Sequence, residues 1–172
     1  MLNLIIGGAG SGKSAWAESL VCRLPGRRIY LATMQPFDME CVARIHRHRL
    51  QRADLGFVTL ERYTDLAGAV PELPPHANVL LECLSNLTAN ELYSPDGTGA
   101  GAVLDGVRAL MPHCRNLTVV TNEIFTGGAD YDRETLRYLR ELARINRELA
   151  AWANHVVEVV CGLPRPLKGD CP

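Results

Sequence analysis

The chain has 172 residues with 18 basic and 19 acidic side chains, and a net charge of −1 draws no polyanion, which excludes nucleic-acid binding through bulk charge. Hydrophobic residues make up 47% and charged residues 22%, a globular composition, and a chain of this length buries roughly 70% of its unfolded surface in one core. No basic leader precedes Leu4-Ile5-Ile6 and no run approaches the ~18 apolar residues of a membrane span, so the expectation is a soluble, cytoplasmic protein with one domain over residues 1–172.

Short apolar runs alternate with helical patterns along the chain. That alternation predicts an α/β fold of βαβ units around a mostly parallel central sheet flanked by helices. The first strand, Leu2–Ile6, runs into Gly7-Gly8-Ala9-Gly10-Ser11-Gly12-Lys13-Ser14, which fits G-x-x-x-x-G-K-[ST] and opens a helix over Ser14–Arg23. Glycines let successive N–H groups turn onto one phosphate, and the helix N-terminus adds about half a positive charge. Lys13 then spans the β- and γ-phosphates, and Ser14 offers its hydroxyl to Mg²⁺.

A second strand, Ile29–Ala32, leads to a helix over Met39–Gln51. It carries the densest basic stretch, Arg44-Ile45-His46-Arg47-His48-Arg49, followed by Arg52. A solvated helix face is the plain reading; the chemical one is that guanidinium forks match phosphate oxygens in pairs. Helical residues two apart point about 200° away from each other, so at most one of His46 and His48 faces a site. Arginine neighbours lower an imidazole's pKa, which leaves it neutral and able to attack phosphorus.

Phe57–Leu60 reads as a further strand, and prolines between Pro71 and Pro75 mark a loop. Strand Val79–Leu81 ends on Glu82, where an acidic group would hold a metal's water shell or cap the next helix, Ser85–Leu92. After the loop Ser94 to Gly99 come a helix over Ala102–Met111 and a strand over Leu117–Thr121, with Asn122 and Glu123 at its carboxyl end. Open parallel sheets bind ligands at that edge. Gly127-Gly128 marks another loop. The helix Arg133–Asn154 places Leu136, Leu139, Leu142, Ala143, Leu149, Ala150 and Ala153 on one stripe, and strand Val156–Val160 follows.

The six cysteines include no C-x-x-C pair, which argues against a zinc ribbon or a dithiol redox site and predicts mostly reduced core residues. Lysine occurs only at Lys13 and Lys168, which excludes the N-K-x-D guanine-reading motif of switch GTPases.

Several segments, in order, resemble one family. They are Gly7-Gly8-Ala9 with Ser11-Gly12-Lys13-Ser14, Tyr30-Leu31-Ala32-Thr33, Ala43-Arg44-Ile45 followed by His48-Arg49, Leu81-Glu82-Cys83, and Val120-Thr121-Asn122-Glu123. Asn146, Leu149-Ala150, Gly162-Leu163-Pro164 and Leu167-Lys168 extend the match over nearly the whole chain. The family is the bifunctional adenosylcobinamide kinase and adenosylcobinamide-phosphate guanylyltransferase, a P-loop NTPase-like fold.

That resemblance implies two reactions: phosphorylation of the aminopropanol hydroxyl of adenosylcobinamide by ATP or GTP, and transfer of GMP from GTP through a guanylyl-histidine. By position His48, not His46, matches that histidine. The family's nucleotide contacts fall on Gly7, Gly8, Ala9, Gly10, Ser11, Gly12, Lys13 and Ser14, on Ala32, Thr33 and Met34, on Arg49, Leu50, Gln51 and Arg52, and on Glu61 and Glu82. Mg²⁺ goes with Ser14 and Glu82, the partner is a small-molecule corrinoid, and the assembly implied is a trimer. Three departures stand out. Gly10 replaces a common arginine, Glu82-Cys83-Leu84-Ser85-Asn86 replaces Asp-Cys-Leu-Thr, and Ile124 to Asp132 lacks a Val-Gly-x-Gly-Ile-Val-Pro stretch. The rival readings are a P-loop small-molecule kinase without a covalent intermediate and a non-catalytic nucleotide-binding regulator.

Overall fold

The computed structural model describes residues 1–125 and 130–172, with the side chains of Arg44 and Gln51 outside the description. In chain order the elements are β1 (Leu2–Gly7), α1 (Lys13–Cys22), β2 (Arg28–Ala32), α2 (Met39–Arg52), β3 (Phe57–Glu61), β4 (Ala77–Glu82), α3 (Leu84–Tyr93), α4 (Gly101–Leu110), β5 (Cys114–Asn122), α5 (Arg133–Trp152), β6 (His155–Val160) and β7 (Leu163–Lys168). The strands form a seven-stranded sheet in the order β3-β2-β4-β5-β1-β6-β7. All pairings are parallel except that of β7 with β6.

The inner strands read as unbroken apolar runs because helices cover both of their faces. Alternate residues of β1 and β4 serve opposite layers. Leu2, Leu4, Val79 and Leu81 join α3, α4 and α5 in one core, while Ile5 and Leu80 pack with Ala17, Leu20 and Val21 of α1 in the other. Each such fully buried aliphatic side chain contributes about 1.5–3 kcal/mol, so the sheet centre is the rigid part of the molecule. With β5 lying between β1 and β4, the loop leaving β1 and the carboxyl end of β4 open on the same edge.

Every strand and helix expected from the pattern is present, with ends shifted by three residues or fewer. One strand was not expected. Leu163-Pro164-Arg165-Pro166-Leu167-Lys168 forms β7, antiparallel to β6 and exposed throughout. Proline survives in a strand only where its missing N–H is not needed, as on this outer edge. The two-residue turn into β7, Cys161-Gly162, has φ of 51° and 78°, the left-handed pair that a tight hairpin requires.

Two expectations about burial need correction. All six cysteines are free, but only Cys83 is buried, whereas Cys161, in the hairpin turn, and Cys171, beyond the last strand, are exposed. On α5 the buried stripe begins at Leu142 and runs through Ile145 and Leu149. Leu136 is exposed because helical periodicity turns it about 150° away from that stripe, whereas Tyr138, one turn before Leu142, packs against the core. Trp16 and Trp152 are partly buried against the two cores, Trp152 with the Arg108 guanidinium over its ring. The Gly127-Gly128 loop lies outside the described residues. Among the described residues no helix is long and apolar enough to cross a membrane.

Candidate active site

Residues 7–14 form the phosphate loop for reasons that can be read atom by atom. Gly10 and Gly12 take φ of 70° and 87°, a left-handed backbone that glycine adopts without strain. A Cβ on Gly7 would lie 2.5 Å from the Ser11 hydroxyl oxygen and 2.7 Å from the Val159 carbonyl, so that position admits no side chain. No side chain caps α1 and its first turn holds no acid, which leaves its N–H groups and positive end facing the cavity. The hairpin tip between β6 and β7 braces the loop: the Gly162 N–H donates to the Ser11 carbonyl at 2.8 Å.

Lys13 is buried, and its ammonium donates to the Gly8 carbonyl at 3.0 Å. The Ser14 hydroxyl donates to Glu82 Oε1 at 2.5 Å, while Glu82 Oε2 and the Ser11 hydroxyl are buried with no hydrogen-bond partner among the described residues. Burial pushes the Glu82 carboxyl up to about 7. The Ser14 hydrogen bond opposes the rise, Glu18 adds to it, and Lys13 and Arg52 pull it back. This donor set fits a hard divalent cation: a serine hydroxyl and a buried carboxylate with one oxygen unengaged. Among the described residues no group of three or more His, Cys, Asp or Glu gathers for an ion. A cation at Ser14 and Glu82 would therefore complete its shell with water and phosphate oxygens.

Around the loop lies a cavity of about 650 Å³, lined by residues 9–15 together with Glu18, Met34, His48, Glu82, Cys83, Asn86 and Asn122. A smaller hollow of about 70 Å³ adjoins it, lined among others by Tyr30, Ala32, Met34, His48, Arg49, Arg52, Glu61 and Glu82. His48 belongs to both, while His46 is exposed on the opposite side of α2, as helical periodicity requires. Asp38 starts that helix by accepting the Cys41 N–H at 2.7 Å.

Of the residues singled out in sequence, the structure gathers residues 9–14, Ala32, Met34, His48, Arg49, Arg52, Glu61 and Glu82 around these two hollows. Glu61 accepts from Arg49 and, at 2.8 Å, from the Tyr63 hydroxyl. Thr33 is buried just behind. Its hydroxyl accepts the Cys83 N–H and donates to the Cys83 carbonyl, both at 2.8 Å, which locks the ends of β2 and β4 together. Leu50 points to solvent, away from both hollows, and the Gln51 side chain lies outside the description. Asn122 lines the phosphate cavity and donates to the Ser85 hydroxyl at 2.6 Å. Glu123 faces instead an apolar cavity of about 580 Å³ between α5 and the β1-β6-β7 edge, whose wall also includes Asn122.

Sequence reading gave no site role to Glu18, Tyr30 or Asn86, although Tyr30 and Asn86 stand in segments compared with the family. Glu18 carried a signal of its own, because it lies four residues after Ser14 on α1 and so shares its face.

The family profile described as cobinamide kinase / cobinamide phosphate guanyltransferase matches residues 3–167. The bifunctional adenosylcobalamin biosynthesis protein CobU of Escherichia coli K12 is 34% identical over 98% of this chain and the whole of that protein. The protein of the same name from Salmonella typhimurium is 33% identical over the same shares, and CobP of Pseudomonas aeruginosa is 33% identical over 99% of each chain. A looser likeness among solved structures is to an ATPase from the type III secretion system of pathogenic bacteria, with a TM-score of 0.49 and 11% identity over 96% of this chain and 56% of that one.

Proposed function

The chain belongs to the cobinamide kinase / cobinamide phosphate guanyltransferase family, and from that premise we propose that residues 1–172 act as one unit whose single phosphate loop serves two successive transfers. In the first, the aminopropanol hydroxyl of adenosylcobinamide attacks the γ-phosphorus of ATP or GTP, loses its proton, and releases the nucleoside diphosphate. In the second, an imidazole nitrogen of His48 attacks the α-phosphorus of GTP and pyrophosphate departs. An oxygen of the acceptor's new phosphate then displaces the histidine from the phosphoramidate and carries GMP away.

Lys13 and the N–H groups of residues 8–14 would hold the phosphate chain in both transfers and neutralise charge as the leaving group departs. Ser14 and Glu82 would hold Mg²⁺, which would supply Lewis-acid relief of the phosphate charge. Arg49, Arg52 and Glu61 line the hollow beside His48, which gives the remainder of the nucleotide polar partners. The observation that carries the reading is that His48, and not His46, shares one cavity with Lys13 and Ser14. Cytoplasmic location and a trimeric assembly belong to the same proposal on family resemblance, and light scattering on the purified protein tests the second.

The decisive experiment incubates the protein with Mg²⁺ and GTP labelled at the α- or the γ-phosphate, with a His48→Asn variant as control. Acid-labile, base-stable label retained from the α position only, and absent from the variant, is the expected result. No α-label in protein that demonstrably binds GTP would replace this reading with that of a kinase lacking a covalent intermediate.

A further inference from the structure

α2 carries His48 but has little apolar grip on the fold. Among its described side chains only Arg52 is buried, at 6% exposure, while Met39, Val42 and Leu50 face solvent. With Ile45 half-buried as its apolar seat and Arg49 paired with Glu61 near the surface, the helix needs a buried anchor to fix its last turn. Arg52 provides it. Its guanidinium carbon lies 3.5 Å from the centroid of the Tyr30 ring on β2, and Nη1 lies 3.7 Å from Glu18 Oε1 on α1. The Glu18 side chain is itself only 15% exposed.

Spacing links this contact to the chemistry. His48 and Arg52 are four apart on α2, and Ser14 and Glu18 are four apart on α1, so each pair shares one helix face. The ion pair bridges the two helices, and Ser14, Glu18 and His48 line one cavity. The pair is an ion pair at 3.7 Å, and Arg52, two of whose N–H groups are buried with no hydrogen-bond partner among the described residues, belongs to the lining of the hollow that His48 shares.

We propose that Glu18 is a positioning residue for guanylyl transfer: its carboxylate holds Arg52 against Tyr30 and thereby seats the last turn of α2 so that His48 faces the α-phosphate. The proposal rests on the reading of His48 given above. Removing the Glu18 charge leaves a buried guanidinium uncompensated, an arrangement that favours release of the helix end. The γ-transfer step makes no use of His48, so the two activities respond unequally.

The test compares wild type, Glu18→Gln, Arg52→Lys and the double variant at saturating GTP and Mg²⁺, reading the single-turnover rate of α-label attachment and the rate of γ-phosphoryl transfer to adenosylcobinamide. The ratio of α-label attachment to phosphorylation is expected to fall about tenfold or more in Glu18→Gln, since a small misplacement of an attacking group costs that much. Arg52→Lys should lower the same ratio, the double variant should fall little further than the worse single variant, and Glu18→Asp, which restores the charge, should recover part of the loss. Equal loss of both activities would instead mark Glu18 as part of the common phosphate or cation site and overturn the proposal. Additive losses, or an unchanged ratio in Glu18→Gln, would overturn it too. Should Glu18→Gln not fold, Glu18→Asp and Arg52→Lys decide the matter by the same ratio. Wild type that takes no α-label sinks the guanylyl-histidine reading and this proposal together; wild type that labels normally beside an unaffected Glu18→Gln sinks this one alone.

Discussion

The Ser14 hydroxyl and the Glu82 carboxylate, 68 residues apart, meet at 2.5 Å because α1 begins beside the carboxyl end of β4. Their contact joins the phosphate loop to the acid that would share its cation. Ser14→Ala and Glu82→Gln are therefore expected to lower both transfers by about 10²-fold and to raise the Mg²⁺ concentration needed for half-maximal rate. Rates measured across a Mg²⁺ titration check this. Full activity of Glu82→Gln at ordinary Mg²⁺ would exclude that carboxylate from the cation site.

Glu82 also makes the cation-free fold sensitive to pH. Its carboxyl rises from 4.5 in the unfolded chain to about 7 in the folded one, chiefly through burial. Between those values the folded chain keeps a proton that the unfolded chain has released, so the stability due to this group is complete below pH 4.5 and is lost as pH climbs through 7. The effect is on the order of 3 kcal/mol at most. Melting curves in a chelator at pH 5.5 and 8 should differ more for wild type than for Glu82→Gln, and equal differences would contradict the assignment.

Gly7→Ala tests the phosphate loop's shape without altering its charge. The added methyl meets the Val159 carbonyl and the Ser11 side chain, and the backbone of β6 yields less readily than the hydroxyl. GTP affinity by calorimetry should drop at least about tenfold, with a stability loss of roughly 1–3 kcal/mol. Unchanged affinity would mean that β6 shifts freely.

Asp38 caps the helix that bears His48, and its carboxylate is held below the usual range by the Cys41 N–H. Asp38→Ala should fray the first turn of α2, seen as faster amide hydrogen exchange at Cys41 and Val42, while the sheet's protection is unaffected. This cap stabilises the turn above the ordinary carboxylate pKa and weakens as pH falls through the lowered one, so acid should reproduce the variant's exchange pattern in wild type.

Most of the fold was legible because its signals are local. Residues 7–14 announce their geometry through glycine, lysine and serine at set spacings, and the choice between His46 and His48 follows from helical periodicity joined to a resemblance. The partners of Arg52 were not legible, since Glu18 and Tyr30 come from other elements and the contacts exist only once the sheet assembles. For the same reason the basic stretch read as a uniform cluster, whereas its described arginines divide: Arg49 pairs with Glu61 near the surface, and Arg52 is buried between Glu18 and Tyr30. β7 escaped notice because two prolines mask a strand that needs hydrogen bonds on one side only.

The hydrogen bond from Gly162 to Ser11 joins the loop after β1 to a turn that comes far later along the sequence. A chain can hold every residue of Gly7 to Ser14 in place along its sequence and still lack the neighbour that steadies them. The loop's steadiness thus depends on a contact of long sequence separation, which forms only once the β6 edge of the sheet has assembled.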